Sequence, residues 1–212
     1  MSTVSGLTEE RFLKLRYALS RRIGSRRFSH TLGVESCIIE LGERYLPGEI
    51  PRLRVAALLH DLTKEWAPEE QIDYCKRHGI ALTEEEISSP KILHAKTGAH
   101  VAYREFSPFV DEGILRAIRC HTTGEYGMTV FDELLYLADY IEPTRTYAEC
   151  VALRERYEEG YRTAEDKLAQ LHKTILYALE STAKEIEARG GRVFYNTWEA
   201  VRFFKETLGL SD

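Results

Sequence analysis

Apolar residues in this chain recur at helical spacing from one Gly or Pro break to the next, and no alternating period-two pattern persists between turn signals. An all-α fold is therefore expected. Thr8 is placed to cap a first helix to about residue 22, Gly24 breaks it, and a second helix over about 27–45 is stopped by Pro47 and Gly48. Pro51 suits the first turn of a third helix, whose apolar stripe Val55, Ala56, Leu58 and Leu59 leads straight into His60 and Asp61. Pro68 and Gly79 bracket another helix, and Thr83 with Glu86 has the pattern of a capping box. Further helices are expected near 91–105, 110–120 and 131–141. A long one is expected over 163–189, with Leu168, Leu171, Ile175, Leu176 and Leu179 at core spacing and Gly190 and Gly191 ending it. A last helix is expected from near Thr197.

The 212 residues fit one core, and no internal repeat or low-complexity linker suggests a boundary. With 43% hydrophobic and 30% charged residues the chain lies outside the disordered class. Cys37, Cys75, Cys120 and Cys150 form no Cys-x-x-Cys pair, which argues against a zinc finger or disulfide framework and reads as buried thiols in a reducing compartment. A net charge of -5 and a pI near 5.9 disfavour a nucleic-acid polymer as partner. The sequence carries neither a membrane-spanning apolar run nor a signal-peptide pattern in its first ten residues, so a cytoplasmic location away from membranes is expected.

Chemistry is concentrated in His30, His60, Asp61, His94, His121 and Asp139, all at or near expected helix ends. Imidazole nitrogen and carboxylate oxygen bind divalent Fe, Mn, Zn or Mg, and a mixed shell without thiolate favours Fe or Mn. A His-Asp dipeptide alone means little; its company matters. That company is RFSHTLGV from Arg27 to Val34, ALLHDLTK from Ala57 to Lys64, ILHAKTGA from Ile92 to Ala99, IRCHTTG from Ile118 to Gly124, and LADYIEPTR from Leu137 to Arg145.

In that order of motifs the chain resembles the HD-domain hydrolases and, within them, the YqeK-like symmetrical diadenosine tetraphosphate hydrolases. HD-x-x-K and AD-x-x-EP-x-R carry the closer likeness. The resemblance implies a single HD-type helical bundle over 1–212, with a motif-bearing core at about 27–145, C-terminal helices at about 147–212 packed on it, and a metal site formed by helix ends. It implies that His30, His60, Asp61 and Asp139 hold a metal, iron first, with Mn, Co, Zn or Mg as alternatives. His94 and His121 then either bind a second ion or contact substrate phosphates. Arg27, Lys64, Thr122 and Arg145 are implied to line a nucleotide diphosphate site, and Asn196 is a candidate for base or ribose contact, although 193–198 fits the family's end only loosely. Thr146-Tyr147 also departs from the more acidic start expected of the next segment.

Elementary chemistry gives these residues roles. A metal held by neutral His and ionised Asp lowers the pKa of a coordinated water toward neutrality and polarises a phosphoryl oxygen. Lys64 and Arg145 suit the charge that builds on a departing diphosphate, while Asp61, Lys64, His94 and His121 form the expected catalytic set. The expected activity is hydrolysis of diadenosine tetraphosphate into two ADP. Alternatives are another nucleotide or alarmone as substrate, or a non-catalytic nucleotide sensor. The expected partner is a small nucleotide, and a homodimer stays open.

Other features have structural readings. His78 is expected at a helix C-terminus, His100 on a different face from His94, and His172 inside the long C-terminal helix. Arg21, Arg22 and Arg26 read as a solvated face, the Glu residues after Thr83 as a helix start, and Tyr136 and Tyr140 as core.

Overall fold

The computed structural model describes residues 6–210. Among these the chain is all-α: α1 (Glu9–Ser20), α2 (Ser25–Tyr45), α3 (Ile50–Leu59), α4 (Pro68–Arg77), α5 (Glu84–Ser88), α6 (Leu93–Glu105), α7 (Glu112–Cys120), α8 (Val130–Ile141), α9 (Ala148–Thr163), α10 (Lys167–Ala188) and α11 (Tyr195–Thr207). Thr8 accepts from Arg11 N to cap α1, and Thr83 and Glu86 form the reciprocal capping box of α5. His78 is the C-cap of α4, where its N–H donates to the Tyr74 carbonyl.

α2 lies along α3 and α8, α7 packs against α3, α6 and α8, and α10 packs against α9 and α11. Val34, Ile38, Leu53, Leu58, Ile114, Leu134, Leu137, Ile175 and Phe204 belong to one buried apolar cluster spanning these helices. Buried charge is paired: Glu35 on α2 accepts from Arg16 on α1 and Arg54 on α3, and Arg52 forks onto Asp111, the N-cap of α7. All four cysteines are free and buried, and burial pushes the Cys37 thiol up to about 12.

The C-terminal third departs from the periodic reading. The long helix expected over 163–189 is α10, which starts four residues later because Asp166 caps it by accepting from Ala169 N at 2.9 Å, and α9, which no expected helix covered, precedes it. Leu168, in the first turn of α10, is 43% exposed and outside the core, whereas Leu171, Ile175, Leu176 and Leu179 are buried as their spacing implied. The last helix starts at Tyr195, two residues before the position expected.

Candidate metal centre

Five helices converge on one cluster. His30 lies in the second turn of α2, His60 is the C-cap of α3 with Asp61 just beyond, His94 opens α6, His121 is the C-cap of α7, and Asp139 sits in the last turn of α8. His60, Asp61, His94 and His121 are buried, with His60 and His94 fully inaccessible.

The histidines share one device. His60 Nδ1 donates to the Ala57 carbonyl at 2.6 Å, His94 Nδ1 to Lys91 at 2.8 Å, and His121 Nδ1 to Ile118 at 2.7 Å, each three residues back. His30 Nδ1 instead meets Glu142 Oε1 at 3.0 Å. A carbonyl or carboxylate oxygen can only accept, so Nδ1 carries the proton in each ring and every Nε2 offers a lone pair to the cluster centre.

Asp61 turns one carboxylate oxygen to each side of the cluster. Its Oδ2 lies 3.3 Å from His60 Nε2 and 3.7 Å from His30 Nε2, and Asp139 Oδ1 lies 3.0 Å from His30 Nε2. Its Oδ1 faces the other way, 3.4 Å from His94 Nε2 and 3.7 Å from His121 Nε2. Within the cluster, His30, His60 and Asp139 form one group whose ligand atoms are close enough to hold an ion, and His60, Asp61 and His121 form another.

His30 Nε2, His60 Nε2 and Asp61 Oδ1 are buried without a hydrogen-bond partner. Leaving such atoms unsatisfied costs about 1–3 kcal/mol each. Imidazole nitrogens and a carboxylate oxygen buried together without hydrogen bonds are a borderline-to-hard donor set that fits a divalent cation.

Charge around the cluster is balanced. Arg27 donates to Asp61 Oδ2 and Arg145 to Asp139 Oδ1, both at 2.6 Å. Burial would raise the Asp61 carboxyl, but His60, His121 and His94 outweigh it and hold its pKa well below the usual range. Burial likewise opposes ionisation of Asp139, yet His30 and Arg145 keep it well below. Burial disfavours protonated His30, while Asp139 and Glu142 outweigh that and raise its pKa, so a cation entering there competes with a proton. Burial, with Lys64 next in weight, lowers the pKa of His94 well below normal and keeps it neutral. Lys64 Nζ reaches His94 Nε2 at 3.1 Å, and burial depresses its own pKa. Thr122 Oγ1 lies 3.0 Å from His94 Nε2 and 3.2 Å from His121 Nε2.

Asn196 stands apart. It lines a cavity between α6 and the segment before α11 with Lys96, Arg119 and Phe194, none of which belongs to the cluster. His100 pairs with the Tyr74 hydroxyl, and His172 lies 3.3 Å from buried Glu133.

Two positions that had no assigned role prove structural to the centre. Glu142 is fully buried and accepts from Thr144 N, Thr144 Oγ1 and His30. Gly33, one helical turn beyond His30, is where a Cβ would run into Glu142 Oε2. Both sit inside motifs visible in the sequence, RFSHTLGV and the Glu-Pro of LADYIEPTR, so spacing marked them without disclosing what they touch.

The sequence profile of the HD domain family matches residues 27–144. A Bacillus subtilis (strain 168) protein named "Bis(5'-nucleosyl)-tetraphosphatase, symmetrical" is 29% identical over 180 residues, spanning 85% of this chain and 90% of that protein. Its namesake from Halalkalibacterium halodurans is 33% identical over 154 residues, 73% of this chain and 80% of the relative. A crystal structure from Clostridium acetobutylicum, described as a predicted HD superfamily hydrolase involved in NAD metabolism, shares the fold with a TM-score of 0.82 at 31% identity, covering 92% of this chain and 97% of that one.

Proposed function

The chain belongs to the HD domain family, and from that premise we propose that it is a metal-dependent hydrolase that splits bis(5'-nucleosyl) tetraphosphates symmetrically, diadenosine tetraphosphate giving two ADP. The observation that supports this most is the two-sided placement of Asp61, one oxygen toward His30 and His60 and the other toward His94 and His121, beside the cationic groups of Arg27, Lys64 and Arg145. We infer two ions that share Asp61, with His30, His60 and Asp139 on one side and His94 and His121 on the other. Iron suits the neutral imidazoles and carboxylates, and Mn or Co suits them next.

Bound there, the metal supplies Lewis acidity toward water and a phosphoryl oxygen. The protein does the rest. Asp61 and Asp139 stay ionised and keep negative charge on the cation's side of the cleft. Arg27 and Arg145 grip non-bridging oxygens of the central phosphates, a bidentate task for which the planar guanidinium is shaped. Lys64 and the Thr122 hydroxyl meet the charge that develops on the departing diphosphate. Water adds to one central phosphorus as the bridging P–O bond breaks, so one ADP carries the water oxygen and the other the bridging oxygen.

The test is ion-exchange analysis of products after incubation with diadenosine tetraphosphate, ATP and GTP, each with Fe, Mn or Co. ADP as the sole product from the dinucleotide supports the proposal. ATP beside AMP, or turnover of mononucleotides alone, rules out symmetrical cleavage.

A further inference from the structure

α9 lies beyond residues 27–144 that match the HD domain, yet one of its side chains reaches back toward the metal centre. The helix buries Cys150, Leu153 and Tyr157 against the core, a stripe at helical spacing. Arg154 stands four residues after Cys150 and three before Tyr157, so it occupies the same stripe, where a cation without partners would be costly. Its partners are backbone carbonyls. Nε donates to Ile141 O at 2.6 Å, and Nη2 donates to Glu142 O at 2.7 Å and to Arg145 O at 2.9 Å.

Those carbonyls bracket one short turn. α8 ends at Ile141, where the last carbonyls of a helix meet no donor from the helix itself. Two of the acceptors thus make an ordinary helix stop. The third lies past the turn, and a planar fork that grips both ends fixes the shape of what lies between. Inside the turn, Arg145 N–H donates to Glu142 O at 3.1 Å, Pro143 has its φ locked by its ring, and Thr144 holds the Glu142 carboxylate through N–H and hydroxyl, both at 2.6 Å. The side chains that leave the turn meet the metal-binding residues. Glu142 Oε1 holds His30 Nδ1 at 3.0 Å, and Arg145 Nη2 donates to Asp139 Oδ1 at 2.6 Å. Arg145 Nε is buried without a hydrogen-bond partner, so the direction of that guanidinium depends on its backbone, whose carbonyl Arg154 holds.

We propose that Arg154 is a positioning residue for the metal centre. By clamping the turn 142–145 it holds the Glu142 carboxylate on His30 and fixes the backbone from which Arg145 reaches Asp139. Its hydrogen bonds end on backbone carbonyls, so its effect on a bound ion passes through Glu142 and Arg145. The assignment rests on the metal-dependent reading above, and it gives α9, outside the matched domain, a share in the site.

The test is the Mn affinity of the full chain by chelator competition, with helical circular dichroism as the check on folding. Arg154→Gln, which keeps the aliphatic stem and loses the fork, should weaken Mn binding about tenfold, the low end of what loss of an outer partner of a metal-binding histidine does. Arg154→Lys should do the same, because a single ammonium cannot follow two guanidinium nitrogens onto both ends of the turn. In the Glu142→Ala background the backbone carbonyls remain but the carboxylate that transmits the clamp is gone, so either substitution should cost less than about twofold more. Mn affinity within about twofold of wild type in Arg154→Gln, or full recovery in Arg154→Lys, overturns the proposal. So does an undiminished loss in the Glu142→Ala background, which would mark a general loosening of the fold. If Arg154→Gln does not fold, Arg154→Lys, which keeps the charge, carries the comparison. A chain that binds Mn but turns over no nucleotide defeats the hydrolase reading and leaves this one standing; a chain that binds no Mn ends both.

Discussion

Glu142 accepts the Nδ1 proton of His30 from 112 positions away in the chain, and in doing so sets which nitrogen His30 presents to the metal cluster. Such partners of metal-binding histidines change metal affinity by about 10–100-fold when removed. Glu142→Ala is expected to weaken Mn binding by that factor in a chelator competition, with the helical circular dichroism retained. Unchanged affinity would mean that His30 is oriented by packing alone.

Gly33→Ala should mimic part of that loss. The added Cβ meets the Glu142 carboxylate, which cannot swing aside because Thr144 holds it through both N–H and hydroxyl. Overpacking of this kind costs about 1–3 kcal/mol. In the double variant with Glu142→Ala the clash has no partner, so the two stability losses should add to less than their sum; strict additivity in urea melts would refute the contact.

Asp61→Asn is expected to deplete metal from both donor sets and abolish turnover, since each oxygen faces a different pair of histidines. Asp139→Asn touches only the set with His30 and His60, and should retain metal on the side of His94 and His121. Elemental analysis after gel filtration decides. Equal metal content in the two variants would sink the shared-ligand arrangement.

Glu133, on α8 away from the metal, carries a pH dependence of its own. Burial raises its pKa, with His172 opposing in part. An acid whose folded pKa is raised contributes stability below its unfolded value of about 4.3 that fades as pH climbs through the folded value. Glu133→Gln should therefore gain stability relative to wild type between pH 4 and pH 7. A constant difference across that range, measured by thermal melts, would show that His172 cancels the burial effect.

How far the sequence foretold all this follows from the range of each interaction. The helical class, the caps at Thr8 and Thr83 and the motif residues were legible because they depend on spacing within a few positions. α9 was not foreseen because only Cys150, Leu153 and Tyr157 of its 16 residues are buried, a stripe too thin to stand out from the surrounding charge. The contacts of Glu142 and Gly33 were hidden because α2 and α8 meet only in three dimensions. Asn196 was proposed from a loosely matching segment, and its cavity with Lys96 and Phe194 is separate from the cluster. Tyr136 and Tyr140, read as core, are found there, Tyr136 inside the buried cluster and Tyr140 packed against it, and both also border a cavity.

His60 and His121 each tie their Nδ1 proton to a carbonyl in the last turn of the helix they end. Those carbonyls are among the acceptors that every helix leaves unmet at its C-terminus. The ligand therefore doubles as a stopper for its own helix, and an alanine scan of this centre would confound two losses, the coordinating nitrogen and the helix stop. Asparagine, whose amide N–H can still reach back to the carbonyl, is the cleaner probe of what each imidazole contributes to coordination.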